Sequence, residues 1–214
     1  MKLFDKSVAA TIAAKLLEIQ AIRLQPEKPF TWASGWKSPI YCDNRLSLSY
    51  PAVRSLIKDN LVKAIQENFS GVEAIAGVAT AGIPQGALLA DALGLPFVYV
   101  RSKPKGHGME NMIEGKVTPG QKVVVVEDLV STGGSSLKAA KDLLNAGFEV
   151  MGMVAIFTYG FDVAVENFKE AGIELICLSD YSAMLPQALA NDYIDDETLA
   201  SLVEWRRDPS TWGK

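Results

Sequence analysis

The chain has 214 residues and a formal net charge of −4, and hydrophobic residues make up 49% of it. This length suits one sizeable α/β core with small extensions, and the acidic balance argues against a general nucleic-acid binder. Cys42 and Cys177 lie far apart without CxxC spacing. We therefore expect two reduced thiols rather than a disulfide framework or a zinc site. Without a signal core or an apolar run near the roughly 18 residues of a membrane span, a cytoplasmic protein is expected.

The first third of the chain shows two helical patterns around one polar segment. Apolar residues at helical spacing predict helices over residues 7–20 and 50–69. Between them, residues 30–45 mix Thr, Ser, Gly, Pro and Asn with tryptophan and tyrosine, which predicts a loop or short hairpin. Trp32 and Trp36 in this segment either cover a flat ligand or pack locally.

From residue 74 onward, short apolar runs alternate with helical patterns. The runs lie at 74–78, 97–100, 123–126, 150–157 and 173–178, and the helical patterns at 83–93, 135–146, 162–171 and 195–207. This alternation predicts an α/β fold with a parallel-sheet core flanked by helices. We expect a single domain over residues 1–214.

Residues 101–119 interrupt the alternation where a helix is expected. The segment contains Arg101, Lys105 and the chain's one histidine, His107, among glycines and few apolar residues. A long irregular loop in a compact domain is usually functional or disordered. Because His107 lies in this polar loop, we expect a functional role for it rather than core packing.

The strand predicted at 123–126 runs into the strongest motif of the chain. Two acids follow it, and then a turn rich in glycine and hydroxyl groups that leads into a helix. Backbone N–H groups of such a turn suit a phosphate, and two carboxylates can accept hydrogen bonds from neighbouring hydroxyls. The motif therefore predicts a ribose-phosphate site made of Glu127, Asp128, Leu129, Val130, Ser131, Thr132, Gly133, Gly134 and Ser135.

This motif resembles the site for phosphoribosyl diphosphate (PRPP) in the type I phosphoribosyltransferases. Residues 30–45, 77–84 and 101–108 are similar to the base-binding segment, the diphosphate-side loop and the mobile catalytic loop of the orotate-specific members. The resemblance extends to residues 204–206. It implies a type I phosphoribosyltransferase fold with an N-terminal base-binding hood at about residues 1–45. It also implies transfer of ribose 5-phosphate from PRPP to orotate, which yields orotidine 5′-monophosphate and diphosphate in pyrimidine biosynthesis.

The resemblance also implies roles for individual residues. Lys105, His107 and Asp128 are the expected catalytic residues. PRPP is expected to contact Arg101, Lys105, His107 and the nine residues of the ribose-phosphate motif. Mg²⁺ is the expected cofactor, held by substrate oxygens rather than by a protein metal site. A homodimer is expected in which Arg101 completes the partner's active site.

The chain departs from the enteric-type pattern of this family in four places. Ala33, Ala81 and Ser102 stand where that pattern has basic residues, and an arginine for the base is missing near residues 157–160. We expect Ser131 to contact orotate, with Lys37 and Arg45 as substitute cations. Two other functions stay open: transfer to another base, such as a purine, and a non-catalytic PRPP sensor that binds RNA. Residues 30–45 argue against the first, and the acidic charge and the basic loop argue against the second.

Overall fold

The computed structural model describes residues 1–32, 35, 37–103 and 112–212. Lys105 and His107 therefore lie outside the described residues, as do Ala33 and Trp36. The strands are β1 (Lys2–Leu3), β2 (Ile22–Leu24), β3 (Phe30–Thr31), β4 (Lys37–Ser38), β5 (Ile40–Cys42), β6 (Ala74–Val78), β7 (Phe97–Val100), β8 (Ile113–Glu114), β9 (Lys122–Val130), β10 (Glu149–Thr158) and β11 (Leu175–Asp180). The helices are α1 (Lys6–Glu18), α2 (Pro51–Asn68), α3 (Gly82–Leu93), α4 (Gly134–Asn145), α5 (Asp162–Glu170), α6 (Tyr181–Ala190) and α7 (Asp196–Arg207), with a 3-10 helix at Asn44–Ser49.

The main sheet has the strand order β1-β11-β10-β9-β6-β7-β8. All neighbours are parallel except β8, which pairs antiparallel with β7. The predicted α/β fold with a parallel-sheet core is thus confirmed. The segment at 101–119, expected to be irregular, instead contributes β8 to the edge of the sheet.

The valine run of β9 explains why the sheet is covered on both faces. Val124 and Val126 belong to one buried cluster, packed under α1, α2, α3, α6 and α7. Val123 and Val125 belong to a second buried cluster, under α4 and α5. Because successive side chains of a strand point to opposite faces, an unbroken apolar run is typical of a central strand between two helical layers.

Helix α6 is an element that sequence patterns did not predict, because Pro186 lies inside it. A proline in a helix interior removes a backbone donor and lowers the intrinsic helix propensity. The helix forms nevertheless. Asp180 caps it by accepting from the N–H of Ala183 at 2.7 Å, and Met184 is fully buried. Tertiary packing therefore overrides local preference here.

Two small antiparallel sheets lie outside the main sheet, at residues 22–42 of the N-terminal segment predicted at about 1–45, and only these residues are called the hood below because β1 belongs to the main sheet. Strand β2 pairs with β5, and β3 forms a short hairpin with β4, as predicted for residues 30–45. Trp32 packs on Tyr159 and Trp205 at ring distances of 5.2 and 5.6 Å. The indole N–H of Trp205 donates to the carbonyl of Lys37 at 3.1 Å. Trp32 thus connects the hood to β10 and α7, and α7 supports the hood.

Candidate active site

The carboxyl end of β9 extends beyond one of its neighbours. Pairing with β6 ends at Val126, whereas pairing with β10 continues to Val130. One edge of β9 is therefore open from Glu127 onward, just before α4 begins. In open α/β sheets, ligands bind at the carboxyl ends of the strands, where such gaps occur. The structure thus places the acids of the sequence motif at the expected edge.

The two acids form an interacting pair in which Glu127 is buried and Asp128 is half-buried. Glu127 is buried, and its Oε2 accepts from Ser136 Oγ at 3.0 Å while its Oε1 accepts from the N–H of Asp128 at 3.1 Å. Burial, followed by the charge of Asp128, raises the pKa of Glu127 to about 8. Burial also raises the pKa of Asp128. Close carboxyl groups titrate together, so the pair retains a proton into the neutral range. Ser136, just beyond the predicted motif, belongs to the site.

The turn after the acids is held in a shape that suits an anion. Gly133 has φ +84°, and a Cβ there would lie 2.8 Å from Phe168 Cε2, so this position requires glycine. No side chain caps the N-terminus of α4 among the described residues. Its first N–H groups are thus available to a ligand oxygen.

Side chains from β10 and α5 fix the backbone of this turn. Thr158 Oγ1 donates to the carbonyl of Val130 at 2.9 Å, and Asn167 Nδ2 donates to the carbonyl of Thr132 at 3.0 Å. Thr132, Gly134 and Ser135 remain exposed. The turn is therefore organised before any ligand arrives, with its outer face open to solvent.

The loop that resembles a diphosphate-side loop packs directly against the end of β9. A Cβ on Gly82 would overlap the carbonyl oxygen of Val126, and a Cβ on Gly77 would lie 2.8 Å from the carbonyl of Gly82. Both glycines thus allow close backbone contact between this loop, the start of α3 and the strand that carries the acids. The arrangement places the loop beside the acid pair.

The two cations expected to contact the base lie on the hood side, and both have partners in the protein. Arg45 donates to Asp43 from Nε at 2.6 Å and from Nη2 at 2.9 Å. Arg45 directly follows Asn44, whose side chain bonds to the carbonyl of Asp128, so the arginine begins one residue from a contact with the acid pair. Lys37 donates to Thr31 Oγ1 at 3.0 Å across the β3–β4 hairpin. Both side chains are exposed.

Arg101 lies at the end of β7, where the basic segment begins. Its backbone N–H donates to the carbonyl of Met112 at 2.7 Å, and its Nη1 lies 3.0 Å from Glu114 Oε1. The arginine is therefore carried by the antiparallel pair β7–β8 and is paired within its own chain.

Two residues near the site, Asn44 and Arg206, make contacts that the sequence did not predict. Asn44 Nδ2 donates to the carbonyl of Asp128 at 2.7 Å, across 84 positions of the chain. The guanidinium of Arg206 donates to the carbonyls of Tyr159 and Gly160, close to where the family's base-binding arginine is missing. Hydrogen bonds from a side chain to a distant backbone carbonyl have no periodicity or spacing by which a sequence could reveal them.

The end of β9 has the features of an α/β protein that binds a sugar phosphate, and comparison with known proteins gives the class. The phosphoribosyl transferase domain family matches residues 48–173. The orotate phosphoribosyltransferase of Cytophaga hutchinsonii is 60% identical over 203 residues, which cover 95% of this chain and 97% of that protein.

Solved structures agree with this comparison. The orotate phosphoribosyltransferase of Aeropyrum pernix matches with a TM-score of 0.75 at 29% identity, over 86% of this chain and 99% of that one. The UMP synthase of Leishmania donovani matches with a TM-score of 0.79 at 26% identity, over 94% of this chain and 42% of that one. The chain therefore belongs to the orotate phosphoribosyltransferase family, which confirms the resemblance seen in the sequence.

The raised pKa of Glu127 predicts how stability depends on pH. Because the folded state holds this proton more tightly than the unfolded state, the stabilisation is complete below the unfolded pKa near 4.5 and is lost as the pH rises to about 8. Glu127→Gln should therefore match the wild type at pH 4.5 and exceed its free energy of unfolding by about 1–3 kcal/mol at pH 8. Urea denaturation at several pH values measures this.

The matched control is Glu67→Gln, which neutralises an exposed carboxylate on α2. This variant should follow the wild-type pH dependence within about 0.5 kcal/mol, as is usual for surface substitutions. If Glu127→Gln and the wild type lose stability in parallel between pH 5 and 8, Glu127 does not hold the proton.

Proposed function

We propose that the protein transfers the ribose 5-phosphate unit of PRPP to orotate, which produces orotidine 5′-monophosphate and diphosphate for pyrimidine biosynthesis. The observation that carries the proposal is the interacting pair of buried Glu127 and half-buried Asp128, directly before the glycine turn and the uncapped start of α4. The 60% identity to an orotate phosphoribosyltransferase over 95% of the chain supports the choice of orotate.

In this proposal the 5′-phosphate binds the turn from Thr132 to Ser135, where N–H groups and hydroxyls are exposed. Glu127 and Asp128 accept hydrogen bonds from the two ribose hydroxyls. Leu129, Val130 and Ser131 complete the connection between the two subsites. The acids also provide negative charge close to the sugar, where positive charge develops in the transition state.

The reaction is a displacement at the anomeric carbon. A ring nitrogen of orotate loses its proton to water or to the departing diphosphate and forms the new bond to the anomeric carbon as the bond to the diphosphate oxygen breaks, so no covalent enzyme intermediate is required. The chain's task is to position the two substrates and to balance charge. We assign neutralisation of the leaving diphosphate to Lys105, His107 and Arg101. Closure of residues 101–119 over the site would exclude water, which otherwise hydrolyses PRPP.

Mg²⁺ fits this site as an ion held by the substrate. No group of three His, Cys, Asp or Glu residues that could hold a metal is present in the part of the chain that the structure describes. Mg²⁺ is often bound through substrate phosphates and water with few protein ligands. Glu127 and Asp128 would reach it through the ribose hydroxyls they bind. The ion would supply positive charge to the diphosphate.

The proposed site for the base lies in the N-terminal segment at about residues 1–45. The hood and the residues directly after it form the part of this segment that faces the end of β9. Orotate is an anion and favours cationic or hydrogen-bonding partners. Ser131, Lys37 and Arg45 are the residues proposed to contact it. For Arg45, the support is its exposed side chain and its place directly after Asn44, which bonds to the carbonyl of Asp128.

We further propose a homodimer with shared active sites, in which Arg101 of one protomer completes the site of its partner. A two-fold interface makes such sharing reciprocal.

We also propose a cytoplasmic location, because the proposed substrates are small metabolites. No helix in the described ranges is long and apolar enough to cross a membrane.

Release of diphosphate in the presence of PRPP, Mg²⁺ and a panel of bases tests the function. We expect turnover with orotate, with orotidine 5′-monophosphate as product, and none with uracil, adenine, guanine or hypoxanthine. Omitting Mg²⁺ should abolish the activity. Turnover with a purine but not with orotate would contradict the base assignment. PRPP binding without turnover on any base would instead indicate the sensor.

A further inference from the structure

We propose that Asn44 is a positioning residue that holds the hood in register with the ribose-binding end of β9. The proposal rests on the proposed function, since it assigns the base to the hood and the ribose to Asp128. Neither the ribose-phosphate motif nor the predicted base contacts include Asn44. Its role would be to set the distance between the two substrates rather than to bind either one.

The carboxamide of Asn44 is buried and both of its polar ends are used. The residue is 1% exposed. Its Nδ2 donates to the carbonyl of Asp128 at 2.7 Å, and its Oδ1 accepts from the thiol of Cys42 at 3.3 Å. One side chain thus connects the last residue of β5, in the hood, to the backbone of a proposed catalytic residue.

The carbonyl of Asp128 lies where ordinary strand pairing is interrupted. Pairing of β9 with β6 ends at Val126, whereas pairing with β10 continues in the same register to Val130, so the side of β9 that faced β6 has no neighbouring strand at Asp128. A buried carbonyl at such a point needs a donor from another element. Asn44 Nδ2 is that donor, and it bonds to the carbonyl of Asp128 on the side of β9 where pairing with β6 has ended.

The hood side of this contact is held firmly. Asp43 N–H donates to the carbonyl of Ala21 at 2.7 Å, which continues the β2–β5 ladder. Ser47 Oγ donates to the carbonyl of Asn44 at 2.6 Å and fixes the 3-10 helix. Asn44 therefore cannot move without displacing β5. A displacement of the hood would in turn change the position of its ligand relative to Asp128.

This geometry matters for the reaction because the attacking nitrogen and the anomeric carbon come from different substrates. Reacting atoms must approach to about 3–3.5 Å with correct alignment, and a misplacement of about 1 Å can lower the rate about 100-fold. The proposed contacts of PRPP are the acids, the glycine turn and the basic residues Arg101, Lys105 and His107, none of which belongs to the hood. The contact made by Asn44 should therefore affect catalysis with both substrates bound much more than PRPP binding alone.

Asn60 provides a matched control. It is also a buried asparagine, 9% exposed, and its Nδ2 donates to the carbonyl of Leu56 at 2.8 Å within α2. Asn60→Ala removes the same type of hydrogen bond from an element without a proposed substrate contact. A loss of activity that arises only from lower stability should appear equally in Asn60→Ala and Asn44→Ala.

The experiment compares Asn44→Ala, Asn44→Asp and Asn60→Ala. We expect both Asn44 variants to lower kcat by about 10- to 100-fold. Their Kd for PRPP, measured calorimetrically without orotate, should stay within about 2-fold of wild type. Asn44→Ala removes the donor without adding a charge. Asn44→Asp keeps the size and the acceptor but replaces the donor by a carboxyl oxygen that can carry negative charge near Glu127 and Asp128, so it serves as the second test of the bond if the alanine variant does not fold. Asn60→Ala should keep the wild-type kcat in folded protein.

Three results would overturn the proposal. A wild-type kcat in Asn44→Asp would show that the donor to Asp128 is dispensable. An unchanged kcat with a higher KM for orotate would make Asn44 part of the base pocket only. A Kd for PRPP weakened as much as kcat would make it part of the ribose site. If the wild type shows no orotate-dependent turnover, the proposed function fails instead.

Discussion

Replacing His107 or Lys105 by alanine is expected to raise the barrier by about 2–4 kcal/mol, a loss of about 30- to 1,000-fold in kcat. Both residues are proposed to contact the departing diphosphate. Charge on that group increases as the bond to the sugar breaks, so a cation there stabilises the transition state more than bound PRPP. The Kd for PRPP should consequently change by less than about 5-fold.

Lys116→Ala is the matched control, because it removes an exposed positive charge from the same segment at a position with no proposed contact. Steady-state kinetics and calorimetric PRPP binding on all three variants separate the effects. If His107→Ala and Lys105→Ala turn over orotate as Lys116→Ala does, the segment has no catalytic role. If PRPP binding is lost together with kcat, these cations contribute to ground-state binding instead.

The shared active site predicts complementation between two inactive variants. Arg101→Ala should inactivate one homodimer, and the combined substitution Glu127→Ala and Asp128→Ala should inactivate another. In a mixed dimer, one site combines intact acids with the partner's intact arginine. Equal co-expression should yield about half mixed dimers, each with one intact site out of two. If the sites act independently, about a quarter of the wild-type activity should return. Purified mixed dimers, isolated with two affinity tags, should show about half.

A second mixed dimer is the mirror-image control. One subunit carries all three substitutions and the other is wild type. If Arg101 acts in the partner, each site lacks either its acids or the arginine, and activity is absent. If Arg101 acts in its own chain, this dimer retains about half of the activity and the first one recovers none. The contact of Arg101 with Glu114 at 3.0 Å makes this test informative, because it shows that the guanidinium also has a partner within its chain.

Features contained in one continuous stretch were predictable from the sequence. The acids, the glycine turn and the start of α4 follow one another, so their chemistry and placement could be inferred together. Helix α6 was not predicted, because Pro186 weakens its local pattern and burial of Met184 compensates only in the folded protein. Strand β1 was also missed, since its two residues are too few to show alternation.

Contacts between distant parts of the chain account for the other differences. The sequence could not decide whether Trp32 covers a ligand or packs locally, and the structure places it against Tyr159 and Trp205. The partners of Ser136 and Asn44 likewise depend on how β9 meets its neighbours. Arg45 was predicted as a free cation for the base, and its pairing with Asp43 depends on the 3-10 helix, which no periodicity indicated.

The separation of the hood from the main sheet has a consequence for how such a protein could diversify. The two small sheets share no strand with the seven-stranded sheet in the described structure. Substitutions in β3 or β4 can accumulate without altering the strand order that supports the acids. If the hood binds the base as proposed, a hood exchanged for that of a relative with another base would have to keep its junctions with the rest of the chain, among them Asn44 with Asp128, Lys37 with Trp205, and Trp32 with Tyr159. Under the proposed assignment of the base to the hood, base preference can evolve while the phosphoribosyl chemistry of β9 is inherited unchanged.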